Sequence, residues 1–301
     1  MAIRHSSLVA RDPSLVTARG SQATDHGPRF LMCRPTHYTI AYEINPWMSV
    51  KRQANPARAF AQWHRLYHLL TRELGVTVRL LPPRPGLPDL TFTANAGLVV
   101  DRTMIRSNFR YPERQGEEAV VEGYFRRAGF RIVRLPRQYH FEGEGDALWV
   151  GETLLFGFRF RSDAPAHERL ARLLGVRVLP VELADRRFYH LDTCFCPLDA
   201  RTALWFPKAF DRYGRKVIEG LIEDVISVSE ADAARFACNA IPIGRTLIVQ
   251  DGISSALKRA LVRRGIRVVP VDLSEFLKAG GSAKCLVLEL RHALSQAAGR
   301  V

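Results

Sequence analysis

The sequence predicts an α/β fold in which five similar ββαβ units form a pseudo-fivefold ring. Three observations support this prediction: β-branched runs recur, an amphipathic stretch precedes each of them, and paired apolar runs around a turn lie between the units. The spacing of about 40 to 55 residues is typical of propellers and arrays. An ordinary open α/β sheet is the alternative, but such sheets alternate single strands with helices and lack these frequent hairpins.

The β-branched runs supply one strand to each unit. Their Val, Ile and Leu content is typical of strands, and four of the five begin with Gly, which commonly follows the end of a helix. The runs are GVTVRLLP (75–82), GFRIVRLP (129–136), GVRVLPVEL (175–183), EDVISVSE (223–230) and GIRVVPVDL (265–273).

A stretch of helical period lies upstream of each run, and it predicts the helix of that unit. These stretches are PARAFAQWHRLYHLLTREL (56–74), EEAVVEGYFRRA (117–128), AHERLARLL (166–174), RKVIEGLI (215–222) and SSALKRALVRR (254–264).

Hairpins complete the units, with Asp or Gly at the turns VDRT, VGET and IGRT, where tight turns favour these residues. They are predicted in AGLVVDRTMIRS (96–107), ALWVGETLLFGF (147–158), ARTALWFP (200–207) and AIPIGRTLIVQ (240–250). The last run, CLVLEL (285–290), lacks a following partner in sequence. We expect the segment RFLMCRPTHYTIAYEINP (29–46) to supply the strand that pairs with it and closes the ring.

Polar residues collect in the segments that join each strand to the next hairpin. Because these segments occupy the same place in every unit, rotational symmetry gathers them at one end of the ring axis. The polar residues there are Asp89, Asn95, Glu142, Asp146, His190, Asp192, Asn239 and Cys285. A thiol can act as a nucleophile, a histidine as its general base, and a carboxylate as the group that orients the histidine. The surplus carboxylates call for a cationic ligand, and a planar guanidinium matches them best.

Cysteine spacing raises a zinc site as the competing interpretation of the same region. Cys194 and Cys196 form a C-x-C pair, but the chain has no second close pair of cysteines, so the usual spacing of zinc ligands is missing. Cys194 and Cys196, like Cys33 and Cys238, lie in apolar strand-like contexts and are interpreted as packed core thiols. Cys285 differs, because AGGSAKC gives it a Gly-bearing approach where backbone comes near a ligand.

With these residues in view, the chain resembles the guanidine-modifying pentein superfamily, and within it the arginine dihydrolase domain of cyanobacterial arginine-catabolising proteins. The resemblance covers about residues 30 to 290 and implies a pentein α/β propeller with no metal or organic cofactor. The matching stretches are MCRPTHYTIAYEINPWM, LPDLTFTANAG, FEGEGDAL, FYHLDTCFCPL and FLKAGGSAKCLVLEL.

The resemblance also implies the roles of individual residues. It places the nucleophile at Cys285, the general acid and base at His190 and the acid that supports the histidine at Glu142. Further substrate contacts are implied at Asp146 and Asp192 for the guanidinium, Arg161 for the α-carboxylate, Asp89 as another acid, and Asn95, Arg114 and Asn45.

The chain departs from the family pattern at two positions. FEGEGD is one residue longer than the commoner E-G-G-D form, so Glu142 and Glu144 are both candidates for the partner of the histidine, and the homologous arrangement favours Glu142. Asn95 stands where deiminases and dimethylaminohydrolases carry Asp. An amide both donates and accepts hydrogen bonds and is neutral, which suits a dihydrolase that also holds a neutral ureido species.

Composition bounds the domain organisation and the partners. Residues 1–28 have no apolar h-region and predict a flexible polar tail, while 29–301 predict a single catalytic domain. The formal net charge of +14 raises nucleic acid as a partner, but the Lys and Arg residues are scattered rather than gathered into a basic block. Five cysteines, an odd number, do not make a disulfide framework and favour the cytoplasm. We expect no membrane span, and the sequence allows a homo-oligomer.

The predicted function is therefore hydrolysis at the guanidinium carbon of arginine through a covalent thiouronium on Cys285. An arginine dihydrolase, which forms ornithine, ammonia and CO2, or a deiminase-like enzyme is the leading interpretation. A dimethylarginine dimethylaminohydrolase, which releases citrulline and a methylated amine, is the alternative within the same chemistry. An amidinotransferase and a basic nucleic-acid-binding protein complete the alternatives.

Overall fold

A computed structural model describes residues 29–291, and in this range the strands form five sheets of three strands each. The predicted tail 1–28 and the segment 292–301 of the predicted domain lie outside the described residues. The strands are Arg29–Cys33 (β1), Thr77–Leu81 (β2), Gly97–Val100 (β3), Thr103–Arg106 (β4), Arg131–Arg134 (β5), Ala147–Val150 (β6), Thr153–Phe158 (β7), Val178–Glu182 (β8), Phe195–Pro197 (β9), Thr202–Trp205 (β10), Asp224–Ser227 (β11), Ile241–Ile243 (β12), Thr246–Gln250 (β13), Arg267–Val271 (β14) and Leu288–Glu289 (β15).

The described α-helices include the five that the sequence predicted, and two short ones lie in the joining segments. They are Pro56–His68 (α1), Pro112–Arg127 (α2), Ala166–Leu174 (α3), Arg212–Leu221 (α4), Glu230–Ala234 (α5), Ser255–Val262 (α6) and Ser274–Leu277 (α7). A π-helical turn, Leu69–Glu73, extends α1 to the end of the predicted stretch.

Each sheet repeats one pairing scheme, as the sequence predicted. In the second sheet along the chain, β3 and β4 pair antiparallel, and β5 returns after α2 to pair parallel with β4. The same order of hairpin, helix and parallel strand builds the sheets β6–β7–β8, β9–β10–β11 and β12–β13–β14.

Tight turns set the register of three hairpins. Asp101, Gly151 and Gly244 each begin a two-residue turn with positive φ of 53°, 57° and 54°. Asp and Gly tolerate the left-handed conformation that such turns require, which is why the sequence located these hairpins.

The third hairpin was placed wrongly from the sequence. The stretch 200–207 holds only its second strand, β10, and the first strand is β9, which contains Cys196. The connecting loop is longer than in the other hairpins, and Asp199 shapes it by accepting hydrogen bonds from the backbone nitrogens of Arg201 and Thr202, each at 2.8 Å. The apolar pattern therefore breaks at this loop rather than at a two-residue turn.

Helix starts follow their capping residues. Asn55 and Ser254 cap α1 and α6, whereas α4 begins at Arg212, earlier than predicted, because Asp211 caps the nitrogen of Gly214 at 2.7 Å. Likewise α2 begins at Pro112, whose fixed φ suits the first turn of a helix.

The first and last described strands share one sheet. β1 pairs antiparallel with β15, with Phe30 opposite Glu289 and Leu31 opposite Leu288, and it pairs parallel with β2. The predicted pairing of the last apolar run with the start of the domain is thus confirmed. None of the helices within residues 29–291 has the length and apolar character of a membrane span.

Candidate active site

The joining segments end in short turns that stand directly before the first strand of each hairpin. Four of them are 3-10 turns, and the fifth approach ends at Asn239, just before β12. The 3-10 turns are Thr93–Ala96, Gly143–Gly145, Leu191–Thr193 and Lys284–Leu286. The polar residues predicted from the repeat therefore come from all five sheets at equivalent positions.

His190 and Glu142 form a buried pair. The Nε2 atom of His190 lies 2.9 Å from Oε2 of Glu142, and both side chains are at most 1% exposed. Burial lowers the pKa of His190 to about 4, although the bond to Glu142 opposes this shift. The imidazole is thus neutral near pH 7. With Nε2–H donated to the carboxylate, Nδ1 carries the lone pair, and this buried atom has no partner in the structure.

The same carboxylate also binds an arginine. Oε2 of Glu142 accepts from Nη1 of Arg161 at 2.9 Å, and Oε1 accepts from the backbone nitrogen of Arg110 at 3.2 Å. Burial by itself raises the pKa of Glu142, but the charge of Arg161 and the bond to His190 outweigh it and hold this pKa well below its usual range. Glu142 is therefore ionised.

Cys285 lies between an acid and an amide. Its thiol donates to Oδ2 of Asp192 at 3.4 Å, and Nδ2 of Asn239 donates to its sulphur at 3.1 Å. Burial and the neighbouring charge of Asp192 raise the pKa of the thiol. Burial likewise raises the pKa of Asp192 to about 7, and its buried Oδ1 is unpartnered. An added cation would therefore stabilise the ionised forms of both Cys285 and Asp192.

Two further predicted acids are buried close to these pairs. Asp146 lies 4.0 Å from Nε2 of His190, and it accepts from the hydroxyl of Ser162 at 2.6 Å and from the backbone nitrogen of Leu191 at 3.1 Å. Burial raises its pKa. Asp89 keeps one buried, unpartnered oxygen, Oδ1, and burial raises its pKa as well. Ionising these buried carboxylates is unfavourable unless a ligand cation is present.

Asn95 is held through its oxygen. Its Oδ1 accepts from Nη1 of Arg114 at 2.8 Å, and its Nδ2 lies 3.5 Å from the carbonyl of Glu142. Arg114 in turn forms a two-bond pair with Glu117, on the same helix. The predicted contacts Asn95 and Arg114 therefore touch each other in the structure.

A cavity of about 470 Å³ lies over Arg161. The guanidinium of Arg161 is sandwiched 4.8 Å from the ring of Tyr111 and 4.6 Å from that of Tyr189, and all three residues line the cavity. Asn45 lines it too, but its side-chain nitrogen is bonded to the carbonyl of Ala279 at 3.0 Å. Arg161 thus connects this cavity to the buried Glu142.

Glu144 lies apart from the histidine. Its Oε2 accepts from Nζ of Lys284 at 2.6 Å and from the backbone nitrogen of Glu289 at 3.0 Å, so Glu142 is the glutamate that contacts His190. A separate cavity of about 280 Å³ is lined by Glu144, Lys284 and Trp149, and by none of the predicted catalytic residues. Two of the predicted substrate contacts, Arg161 and Asn45, instead line the cavity of about 470 Å³.

Cys194 and Cys196 lie against backbone carbonyls. The sulphur of Cys194 lies 3.5 Å from the carbonyl of Leu191, and that of Cys196 lies 3.6 Å from the carbonyl of Ala240. Within residues 29–291 no group of three or more His, Cys, Asp or Glu side chains is arranged so that it could hold a metal ion.

Asn239 had no role assigned from the sequence, although it was among the converging polar residues. Its side chain donates to the sulphur of Cys285, and its Oδ1 accepts from the backbone nitrogens of Ser282 and Cys285 at 3.0 and 3.1 Å. It thereby fixes the loop that carries the thiol. The signal was available, because Asn239 and Asn95 both stand two residues before the first strand of a hairpin.

Comparison with known proteins gives consistent results. The family model for N,N-dimethylarginine dimethylhydrolase, eukaryotic, matches residues 38–292. The bifunctional arginine dihydrolase/ornithine cyclodeaminase AgrE of Nostoc sp. is 45% identical over 267 residues, which are 87% of this chain but only 38% of AgrE. The N(G),N(G)-dimethylarginine dimethylaminohydrolase of Mycobacterium tuberculosis is 39% identical over 93% of this chain and 92% of its own.

Solved structures agree in fold. The N-terminal domain of ArgZ, an arginine dihydrolase from cyanobacteria, has been solved bound to its substrate, and it superposes with a TM-score of 0.85 at 43% identity. The match covers 89% of this chain and 99% of that domain. The same domain has also been solved with a reaction intermediate bound covalently.

Proposed function

The chain belongs to the N,N-dimethylarginine dimethylhydrolase family of the pentein superfamily, and from this premise we propose that it is an arginine dihydrolase. One observation carries the proposal: a buried thiol, Cys285, with Asp192 and Asn239 on its sulphur, and a buried pair of His190 and Glu142 come from equivalent positions of the repeat. The matched AgrE and ArgZ relatives are named for this activity, and the chain aligns with only 38% of AgrE.

The first step is attack of the thiolate on the guanidinium carbon. Because burial raises the pKa of Cys285, the thiol stays protonated until the substrate cation lies beside it. The thiol proton passes to Nδ1 of His190, the S–C bond forms, and the same proton then leaves with the departing nitrogen as ammonia. The enzyme is left with a covalent thiouronium, a type of intermediate consistent with the covalent complex of ArgZ.

Water completes the first hydrolysis. His190, neutral again, takes a proton from water as it adds to the thiouronium carbon, and the C–S bond breaks to return the thiol and give citrulline. A second passage at the ureido carbon consumes one more water and gives ornithine, ammonia and CO2. The total is arginine plus two waters to ornithine, two ammonia molecules and CO2.

The carboxylates hold the substrate for these steps. Asp146 and Asp192 flank the guanidinium, and Asp89 adds a third acid whose free Oδ1 accepts from it. The cavity over Arg161 receives the α-carboxylate end, with Asn45 on its wall. Arg114 acts on the reacting end through Asn95.

Mass spectrometry of products tests the proposal. With arginine, monomethylarginine, dimethylarginine and citrulline as separate substrates, we expect ornithine and ammonia from arginine and turnover of citrulline. Cys285→Ser should keep arginine binding in calorimetry but form no product and no covalent adduct. A Cys285→Ser chain with native turnover would refute the mechanism.

Dimethylarginine hydrolysis is the second candidate, because the matching family model and the M. tuberculosis relative carry that activity in their names. A methylated amine released from dimethylarginine, together with citrulline as the final product, would favour it over the dihydrolase.

The proposal extends to the assembly of the domain. We place the five sheets of residues 29–291 around one axis as a closed propeller, since each sheet contributes a polar group to the same site. The five free, buried cysteines among the described residues support a cytoplasmic location.

A further inference from the structure

One member of a buried ion pair, Glu117, has no part in the steps above. On α2, the two oxygens of Glu117 accept from Nε and Nη2 of Arg114, each at 2.8 Å. The two side chains are 2% and 4% exposed, and the guanidinium also lies 4.5 Å from the ring of Phe109. A two-bond fork of this kind fixes the plane of the guanidinium.

That plane determines the orientation of Asn95. The remaining Nη1 of Arg114 donates to Oδ1 of Asn95 at 2.8 Å, so the amide cannot turn over without placing one donor against another. The donor end of the amide is therefore Nδ2, whose long 3.5 Å bond to the carbonyl of Glu142 leaves its second hydrogen for a ligand. This nitrogen lies beside His190, because a Cβ built on Gly145 would be 2.4 Å from Nδ2 of Asn95 and 3.1 Å from Cγ of His190.

A fixed donor distinguishes the two reactants of the proposed function. The nitrogens around a guanidinium carbon only donate hydrogen bonds, so Nδ2 of Asn95 has no acceptor on the guanidinium of arginine. A ureido group has an oxygen that accepts, so Nδ2 can bond it and draw charge from the carbon that Cys285 attacks next.

We propose that Glu117 is a positioning residue that holds Asn95 as a donor, through Arg114, and thereby commits the enzyme to the second hydrolysis. This inference rests on the proposed function, since it concerns which of its two hydrolytic passages is favoured. Glu117 also neutralises the buried Arg114, whose unpaired charge would repel the substrate cation.

The test compares Glu117→Gln with Glu117→Asp in the full chain. Glu113→Gln is the matched control, because this substitution removes the same charge from the same helix at an exposed residue. Citrulline and ornithine formed from arginine are quantified over time, and kcat and KM are measured with citrulline as the added substrate.

We expect Glu117→Gln to raise the ratio of citrulline to ornithine about tenfold, the effect of one misplaced hydrogen bond, with the loss on citrulline mainly in kcat. Glu117→Asp keeps the charge but shortens the reach, so its ratio should lie between those of the native chain and Glu117→Gln. A role in stability alone would lower the melting temperature and leave the ratio unchanged.

The outcomes separate this inference from the proposed function. A native chain that hydrolyses no arginine refutes the proposed function itself. A native chain that stops at citrulline refutes the dihydrolase as well, whereas a native chain that forms ornithine and a folded variant at Glu117 with the same product ratio overturn only the inference. If Glu117→Gln does not fold, the ratio in Glu117→Asp decides.

Discussion

Replacing Asp192 by Asn should stabilise the protein while abolishing its activity. Burial raises the pKa of Asp192 from 3.8 to about 7. Because the folded pKa lies above the unfolded value, the favourable contribution of this carboxyl is present at low pH and is lost as the pH rises towards 7. Above that pH the ionised carboxylate costs about 4 kcal/mol of unfolding free energy, taking about 1.4 kcal/mol for each pKa unit.

An amide of the same shape carries no such cost. We expect Asp192→Asn to raise the free energy of unfolding by up to about 4 kcal/mol near pH 8 and by close to nothing near pH 4. Urea unfolding followed by tryptophan fluorescence at both pH values measures the difference. Asp101→Asn is the control, since Asp101 is an exposed turn residue whose positive φ Asn tolerates.

Two results would count against this reasoning. An Asp192→Asn chain no more stable than its parent near pH 8 would mean that the carboxylate is not penalised in the fold. A gain that is equal at both pH values would mean that the effect does not come from ionisation.

Two more predictions concern the histidine and its surroundings. Since burial lowers the pKa of His190 to about 4, its ring nitrogens should show no titration in NMR between about pH 5 and 8, and a midpoint near 6.5 would contradict the assigned neutral state. Gly145→Ala should lower kcat/KM about a hundredfold, because the new methyl group would lie 2.4 Å from Nδ2 of Asn95. Gly220→Ala, where a Cβ meets no atom within 4 Å, should leave turnover unchanged.

Much of the fold could be predicted because each unit carries its own local signals. Asp101, Gly151 and Gly244 have the turn conformation that their residue types favour, so three hairpins were located correctly. The third was not, because the loop shaped by Asp199 has no two-residue turn signature, and the short strand β9 resembles part of the preceding polar segment.

The sequence predicts which residues lie in the candidate site but not which of them contact each other. The repeat indicates which segments converge, yet it cannot tell whether Glu142 or Glu144 contacts the histidine, since both flank the same glycine. The backbone decides: Gly143 has a φ of 62°, and the turn that follows sends Glu144 to Lys284. Pairings such as Arg114 with Asn95 depend on side chains that meet only after α2 has packed.

The strand pairing of β1 with β15 imposes an order on synthesis. β1 is synthesised long before its antiparallel neighbour β15, which follows Cys285 by only a few residues. A nascent chain therefore carries an incomplete first sheet and lacks Cys285 until the segment that contains β15 is made, and contacts over such a sequence separation form slowly. Completion of the sheet and completion of the proposed active site are consequently one event, so fragments that end early should hydrolyse no arginine in the cell.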